Sequence, residues 1–475
     1  MQHSLLRRFI SGGTISVDRG GLLGASRGAS RGGGGTALPT LGAGAPSPPT
    51  AADDAASPLL PYIRSSILAR GPISLAEYMR LCLGHPQWGY YMRGDVFGAA
   101  GDFTTSPELS QLFGELVGVW CVAACEALRL GERAGGFTLI ECGPGRGTLA
   151  AAVLRVLGRF PAARGGLRGV HLVETSPALR GVQAATLGAP APAPGGGGGP
   201  VALGGGPFAG VPVAWWDRVE DVPPGPPALL LSHELLDALP THQLHLVAGA
   251  GAPRWRELLV DAGEDGGLAH VLARGATPAS VAFSSWLAGA AGARYLQRCR
   301  AAGGAPQWPA PGDVAEVSPA AAAFSAAVGA RVATQGGAAL LVDYGSATGA
   351  PRMSLRGVRA HRFVHPLSAP GLVDLSVDAD FCAAAEAAAG GAAAAAGGDG
   401  AVAVLGPSPQ GVFLQKLGLA ARVQRLVAAV GEGSPAAERL RAEATRLAHP
   451  SEMGAVYKAM AVVPAAHAAQ FEPLF

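Results

Sequence analysis

The stretch Phe137-Thr-Leu-Ile-Glu-Cys-Gly-Pro-Gly-Arg-Gly-Thr-Leu149 decides the fold. Phe137 to Ile140 is a short apolar run with β-formers, which reads as a buried strand closed by Glu141. Gly143, Gly145 and Gly147 follow at alternate positions, and Leu149 to Leu157 then reads as a helix. A strand, a glycine turn and a helix N-terminus together form a site for a nucleotide-like ligand. Glycine lets the backbone approach closely, and the free N–H groups of the first helical turn face the crevice.

The spacing narrows the ligand. The dinucleotide fingerprint is G-x-G-x-x-G, whose third glycine packs helix on sheet. Here the glycines run G-x-G-x-G, Thr148 stands where that third glycine would be, and an acid precedes the loop. Glu-x-Gly-x-Gly-x-Gly resembles instead the first motif of class I S-adenosylmethionine methyltransferases. That ligand carries a sulfonium and an amino-acid tail but no pyrophosphate, so a carboxylate beside the loop suits its positive charge. The competing reading is a glycine turn without a ligand.

Working outward, strand and helix keep alternating, as in an α/β Rossmann-like, mostly parallel sheet. Gly169 to Val173 is a second strand ending in Glu174, an acid placed to accept hydrogen bonds from ribose hydroxyls. Residues 188–212 are a Gly/Pro/Ala tract, expected as an exposed insertion. Val211 to Trp216 is a third strand, with Asp217 at its end as a candidate to reach the adenine. Ala228 to Leu231 is a fourth, running into Ser232-His-Glu-Leu-Leu-Asp-Ala-Leu-Pro240. Glu234 and Asp237 are three apart, so in a helical turn they share a face. Open parallel sheets bind ligands beyond the carboxyl ends of their strands. Two carboxylates there suit a guanidinium or ammonium group aimed at a donor methyl. The bland alternative is two acids favouring a helix N-terminus, worth under about 1 kcal/mol each. Ala338 to Tyr344 is a buried strand that brings Asp343, Tyr344 and Gly345 to the same edge, where they are candidates for the substrate side; the bland alternative for Asp343 is a turn residue before Gly345. Residues 383–403 are an Ala/Gly tract, expected as a second insertion. The core is thus expected over 137–475.

Upstream, residues 58–136 read as an N-terminal helical segment. Leu59, Ile63, Ile67 and Leu68 have helical spacing, Ile73 to Leu83 forms another helix, and Pro86 to Tyr91 is an aromatic turn. The polar stretch Gly101-Asp-Phe-Thr-Thr-Ser-Pro-Glu108 precedes a long helix over 109–130. Gly101, Asp102, Thr104 and Thr105 are candidates for a wall or lid, with Ser106 as N-cap and Pro107 in the first helical position. Residues 1–57 carry Arg7, Arg8 and several serines, with an amphipathic, acid-poor start before a Gly/Pro/Ala tract. That pattern reads as an organelle transit peptide and linker, and composition leaves mitochondrion and chloroplast open.

Composition sets limits on function. The net charge of +2 gives no general case for nucleic acid or membrane binding. No run of about 18 apolar residues indicates a membrane span. The six cysteines are scattered without C-x-x-C or zinc spacing, and His242 and His245 have no nearby third ligand, so no metal is expected.

Taken together, these pieces resemble the MidA family, the mitochondrial complex I assembly factors that are class I protein-arginine methyltransferases. The resemblance runs through Pro86 to Tyr91, Gly101 to Gly114, Glu141 to Gly147, Glu234 to Gln243, Glu316 to Ser318, Leu341 to Gly345, Asp374 to Phe381, Gly406 to Gly418 and Met453 to Lys458. It implies S-adenosylmethionine as cofactor, symmetric dimethylation of an arginine in a complex I core subunit, and a mitochondrial matrix location. On that footing Glu234 and Asp237 surround the guanidinium. Glu141 and Glu174 serve the cofactor, with the backbone around Gly143 and Gly145 against its amino-acid tail. This chain departs from the family at His233, usually Asn, and at His365, usually Asp; imidazole can replace the amide donor at 233. Three alternatives remain: an assembly chaperone that binds the cofactor without transfer, a small-molecule methyltransferase, and an NAD-dependent oxidoreductase.

Overall fold

Apolar runs punctuated by glycine and proline build a central sheet whose seven main strands are numbered in chain order. They are β1 (Phe137–Cys142), β2 (Leu167–Val173), β3 (Pro212–Trp216), β4 (Ala228–His233), β5 (Gly337–Ser346), β6 (Val402–Pro409) and β7 (Tyr457–Pro464). Two short strands extend it, Val201–Ala202 on β3 and Ala379–Asp380 on β5. The computed structural model describes residues 57–94, 106–193, 199–249, 251–350 and 353–475. The expected leader, up to residue 56, lies outside these, as do the candidates Gly101, Asp102, Thr104 and Thr105.

The spatial order is β3-β2-β1-β4-β5-β7-β6. β3 to β5 are parallel, and β7 runs against both of its neighbours. A dinucleotide fold has the order 3-2-1-4-5-6 without an inserted reversed strand, so the oxidoreductase alternative fails on topology. Every residue of β1 and β4 is buried because helices cover both faces. Gln111–Ala127 and Thr148–Leu157 share a core with one face, and Pro319–Gln335 and Phe381–Ala396 with the other.

The N-terminal segment divides between two cores. Leu59–Arg70 and Leu75–Gly84 pack with residues around 367–377, while Gln111–Ala127 joins the central sheet. Ile73–Ser74 belongs to an antiparallel sheet with Arg254–Ala262, His242–Val247, Val314–Val317 and Leu268–Leu272. Ser106 begins a short helix, and the long helix starts after Ser110, whose side chain accepts from Leu112 N. The N-cap expected at Ser106 is therefore at Ser110.

The Ala/Gly tract at 383–403 is ordered within the fold. Most of it is the Phe381–Ala396 helix, with Ala384, Ala385, Ala388 and Ala392 buried. A Cβ on Gly329 would lie 1.9 Å from Ala388 O, and one on Gly391 would lie 2.2 Å from Ala326 O. Two helices touching backbone to backbone require small residues at the contact, and this accounts for the composition. Gly391→Leu is expected to lower stability by about 2 kcal/mol or more, read by urea unfolding; an unchanged midpoint would contradict this packing.

Candidate active site

Three residues just past the strand ends are held by the sheet itself. Gly143 N donates to Val173 O (3.0 Å), Glu174 N to Trp216 O (2.9 Å) and Glu234 N to Val342 O (3.0 Å). Each bond continues the ladder one step beyond the strand. All three residues line a cavity of about 920 Å³ at the carboxyl edge. There β2 and β4 lie on opposite sides of β1, the crevice where such sheets bind ligands.

One end of the cavity is built for a cofactor. Gly143, Gly145 and Gly147 have φ of 67°, 51° and 78°, backbone that favours glycine. Burial pushes the Glu141 carboxyl up to about 8, against the Ala150 N–H that favours its anion. Its Oε2 has no hydrogen-bond partner among the described residues and is an acceptor waiting for a cation or a donor. Glu174 is buried, which raises its pKa, and it accepts from Ser176 N (2.8 Å) and Gln183 Nε2 (3.1 Å). Asp217 lies on the rim, 70% exposed, and its Oδ1 pairs with Arg180 Nη2 at 2.6 Å. Arg180 also donates through Nε to Glu174 O (2.8 Å), so it ties the ends of β2 and β3 together. An orphaned acceptor beside a glycine cradle fits S-adenosylmethionine.

The other end carries Glu234 and Asp237. Glu234 has φ 51°, a left-handed conformation costing about 1–3 kcal/mol for such a residue. Its Oε1 accepts from Tyr457 OH at 3.0 Å. Burial, then the Asp237 charge, pushes its carboxyl up to about 8. Asp237 Oδ2 accepts from Tyr344 OH, and its buried Oδ1 has no partner among the described residues. Burial raises Asp237 to about 6, with the Tyr344 hydroxyl and the Arg356 charge opposing. Tyr344 and Tyr457 are register partners across β5 and β7, packed edge to face at 5.3 Å. Arg356 lies over the Tyr344 ring at 4.5 Å and bonds Asp378 at 2.7 Å.

Two expected site residues act differently. Asp343 is turned away from the cavity. Its Oδ2 accepts from the N–H groups of Leu235 (3.1 Å), Leu236 (2.9 Å) and Asp237 (3.4 Å), so it clamps the turn that carries both acids. His233 lines the cavity but makes no hydrogen bond through Nε2 among the described residues. Burial pushes its pKa down to about 3, so the ring is neutral, and it packs between Phe113 and Tyr457. The expected amide-like donation is absent there. His365 does not line the cavity, and its Nδ1 accepts from Leu367 N at 3.2 Å. Tyr457, Arg356 and Gln183 escaped the sequence reading; each acquires its place only through strand pairing or a tertiary contact.

Strand order and cavity together define a class I methyltransferase that uses S-adenosylmethionine. The family described as "Putative S-adenosyl-L-methionine-dependent methyltransferase" matches residues 116–398. "Protein arginine methyltransferase NDUFAF7, mitochondrial" of Danio rerio is 35% identical over 420 residues, 88% of this chain and 89% of the relative. Its human counterpart is 34% identical over 417 residues, 87% and 85% of the two chains. A Burkholderia thailandensis protein crystallised with S-adenosyl-homocysteine superposes with TM-score 0.65 at 26% identity, covering 89% of this chain and 96% of that one. The chain belongs to the MidA family, the family of these NDUFAF7 proteins. No helix among the described residues is long and apolar enough to cross a membrane.

The raised carboxyls make stability depend on pH. Glu141 and Glu234 keep their protons to about 8 when folded, whereas unfolded glutamates lose theirs near about 4.3. Their contribution is fully present below the unfolded value and is lost as pH rises through the folded one. Glu141→Gln is expected to flatten the fall in unfolding midpoint of the cofactor-free protein between about pH 5 and 8. A profile parallel to the parent's would contradict the burial argument.

Proposed function

We propose that this chain is a protein-arginine methyltransferase that symmetrically dimethylates an arginine of a complex I core subunit in the mitochondrial matrix, supporting complex I assembly. The observation that carries the reading is the unpartnered Oδ1 of buried Asp237, beside Glu234 in the cavity that also holds Glu141 and the glycine loop. A buried carboxylate oxygen without a donor calls for a charged, many-toothed donor, and guanidinium offers five N–H groups. The relatives' names support a protein arginine as acceptor and a mitochondrial location. The complex I substrate, the symmetric product and the matrix rest on the family resemblance.

When bound, S-adenosylmethionine supplies a methyl group on a positively charged sulfur. The chain's residues must exclude water and hold the acceptor nitrogen in line with that methyl. Arginine is a poor nucleophile because its charge is delocalised. Glu234 and Asp237 accept N–H bonds from it, orient it and stabilise the positive charge that builds during transfer. Tyr457 and Tyr344 each hold one oxygen of a carboxylate, the Ser106 N–H adds a second donor to Glu234, and Asp237 Oδ1 is left to face the substrate. The methylated nitrogen must then lose a proton. Glu234, pushed up to about 8, is better matched than Asp237 to receive it. Asp343 holds the turn and touches no substrate.

The test is transfer from methyl-labelled S-adenosylmethionine to purified complex I core subunits, followed by mass spectrometry of their arginines. Dimethylarginine is expected. Glu234→Gln and Asp237→Asn are each expected to slow its formation by about 10²-fold or more, with cofactor affinity nearly unchanged. Cofactor binding without any methylarginine on a folded substrate would support instead an assembly protein that does not transfer methyl.

A further inference from the structure

Gln183 has no part in the motifs above, yet it sits at the junction of the cofactor end. It lies on the Pro177–Leu187 helix, one turn from Arg180, and is completely buried. Its Nε2 donates to Gly145 O (2.8 Å) and to Glu174 Oε2 (3.1 Å), and its Oε1 accepts from Trp215 Nε1 (2.9 Å). These partners come from three separate places: the glycine loop, the end of β2 and the end of β3. The orientation of the amide follows from its neighbours. An indole N–H can only donate and a peptide carbonyl can only accept, so Oε1 must face Trp215 and Nε2 must face Gly145. The second hydrogen on Nε2 is thereby committed to Glu174.

The consequence falls on Glu174. Its Oε1 accepts from Ser176 N and its Oε2 from Gln183, and the Thr175 N–H also favours the anion. Both retain acceptor capacity towards the cavity that Glu174 lines. Burial works against the anion there, and donors to its oxygens work for it. Helix and loop are also in direct contact, since a Cβ on Gly147 would lie 3.4 Å from Gln183 Cα. We infer that Gln183 is a positioning residue of the cofactor site: it ties the Glu174 carboxylate to the glycine loop and thereby sets the chain's affinity for S-adenosylmethionine.

The informative variant is Gln183→Glu. It keeps the shape and the acceptor for Trp215 but turns both donors into acceptors. The charged groups around the position are Glu174, Arg180 on the same helix and, beyond it, Asp217. S-adenosylhomocysteine is titrated calorimetrically into the full chain, parent and variant, at about pH 8 and about pH 6. At the higher pH the variant is expected to bind about 30-fold more weakly, the scale of a lost hydrogen bond to a charged group. At the lower pH the ratio to the parent is expected to narrow, because a protonated carboxyl at that position donates again. Affinity within about twofold of the parent at both values, or a loss that does not narrow with pH in a folded variant, would overturn the assignment. Should Gln183→Glu fail to fold, Trp215→Phe decides. It removes the donor that orients the amide while keeping an aromatic ring at the position, and about threefold weaker binding is expected; unchanged binding would overturn the assignment.

Discussion

The site depends on the cost of keeping carboxylates out of water. Glu141, Glu174, Asp237 and Asp343 are each 9% exposed or less, and the Glu234 side chain is 10% exposed. Glu234, Asp237 and Asp343 repel one another, and burial penalises the charge of all five. The structure answers with fixed donors, two tyrosine hydroxyls and a row of backbone N–H groups, and with the positive charge of the half-buried Arg356 near Asp237. The compensation stops short at Glu141 Oε2 and Asp237 Oδ1, one at each end of the cavity. On the proposed reading, those two unsatisfied acceptors are where a cationic cofactor and a cationic acceptor make up what the protein leaves undone.

The same arrangement holds local strain. Glu234 takes a left-handed backbone that its side chain disfavours. It stays there because its N–H is fixed to β5 and because Asp343, also on β5, gathers the next three N–H groups. β7 supplies Tyr457 opposite Tyr344, so the reversed strand contributes a hydrogen-bond partner for Glu234 as well as a sheet neighbour. A dinucleotide fold lacks that strand and would have no means of placing the second hydroxyl. Topology and chemistry are therefore linked through one cross-strand tyrosine pair.

Much of this was legible in the sequence. Period and punctuation located β1 to β5, and the acid-and-glycine spacing separated a sulfonium ligand from a pyrophosphate. Glu234 and Asp237 stood out because two acids at a strand end need a reason. What stayed hidden depended on contacts between distant segments. Nothing around Tyr457 says that it pairs with Tyr344, and a lone glutamine in a helix gives no hint that it meets a glycine loop. Asp343 misled because a strand-end acid can face the crevice or the backbone, and only the path of the 235–237 turn decides. The alanine tract gave no sign of its helix because low complexity usually marks a loop, whereas here it marks close helix contact.

The most direct measurement is a crystal structure of the chain with S-adenosylhomocysteine and an arginine peptide drawn from the substrate. Guanidinium nitrogens are expected within about 2.7–3.0 Å of Asp237 Oδ1 and of the Glu234 carboxylate, with one nitrogen facing the cofactor sulfur. A peptide arginine bound elsewhere, with both carboxylates left to water, would contradict the assignment of these two acids to the acceptor.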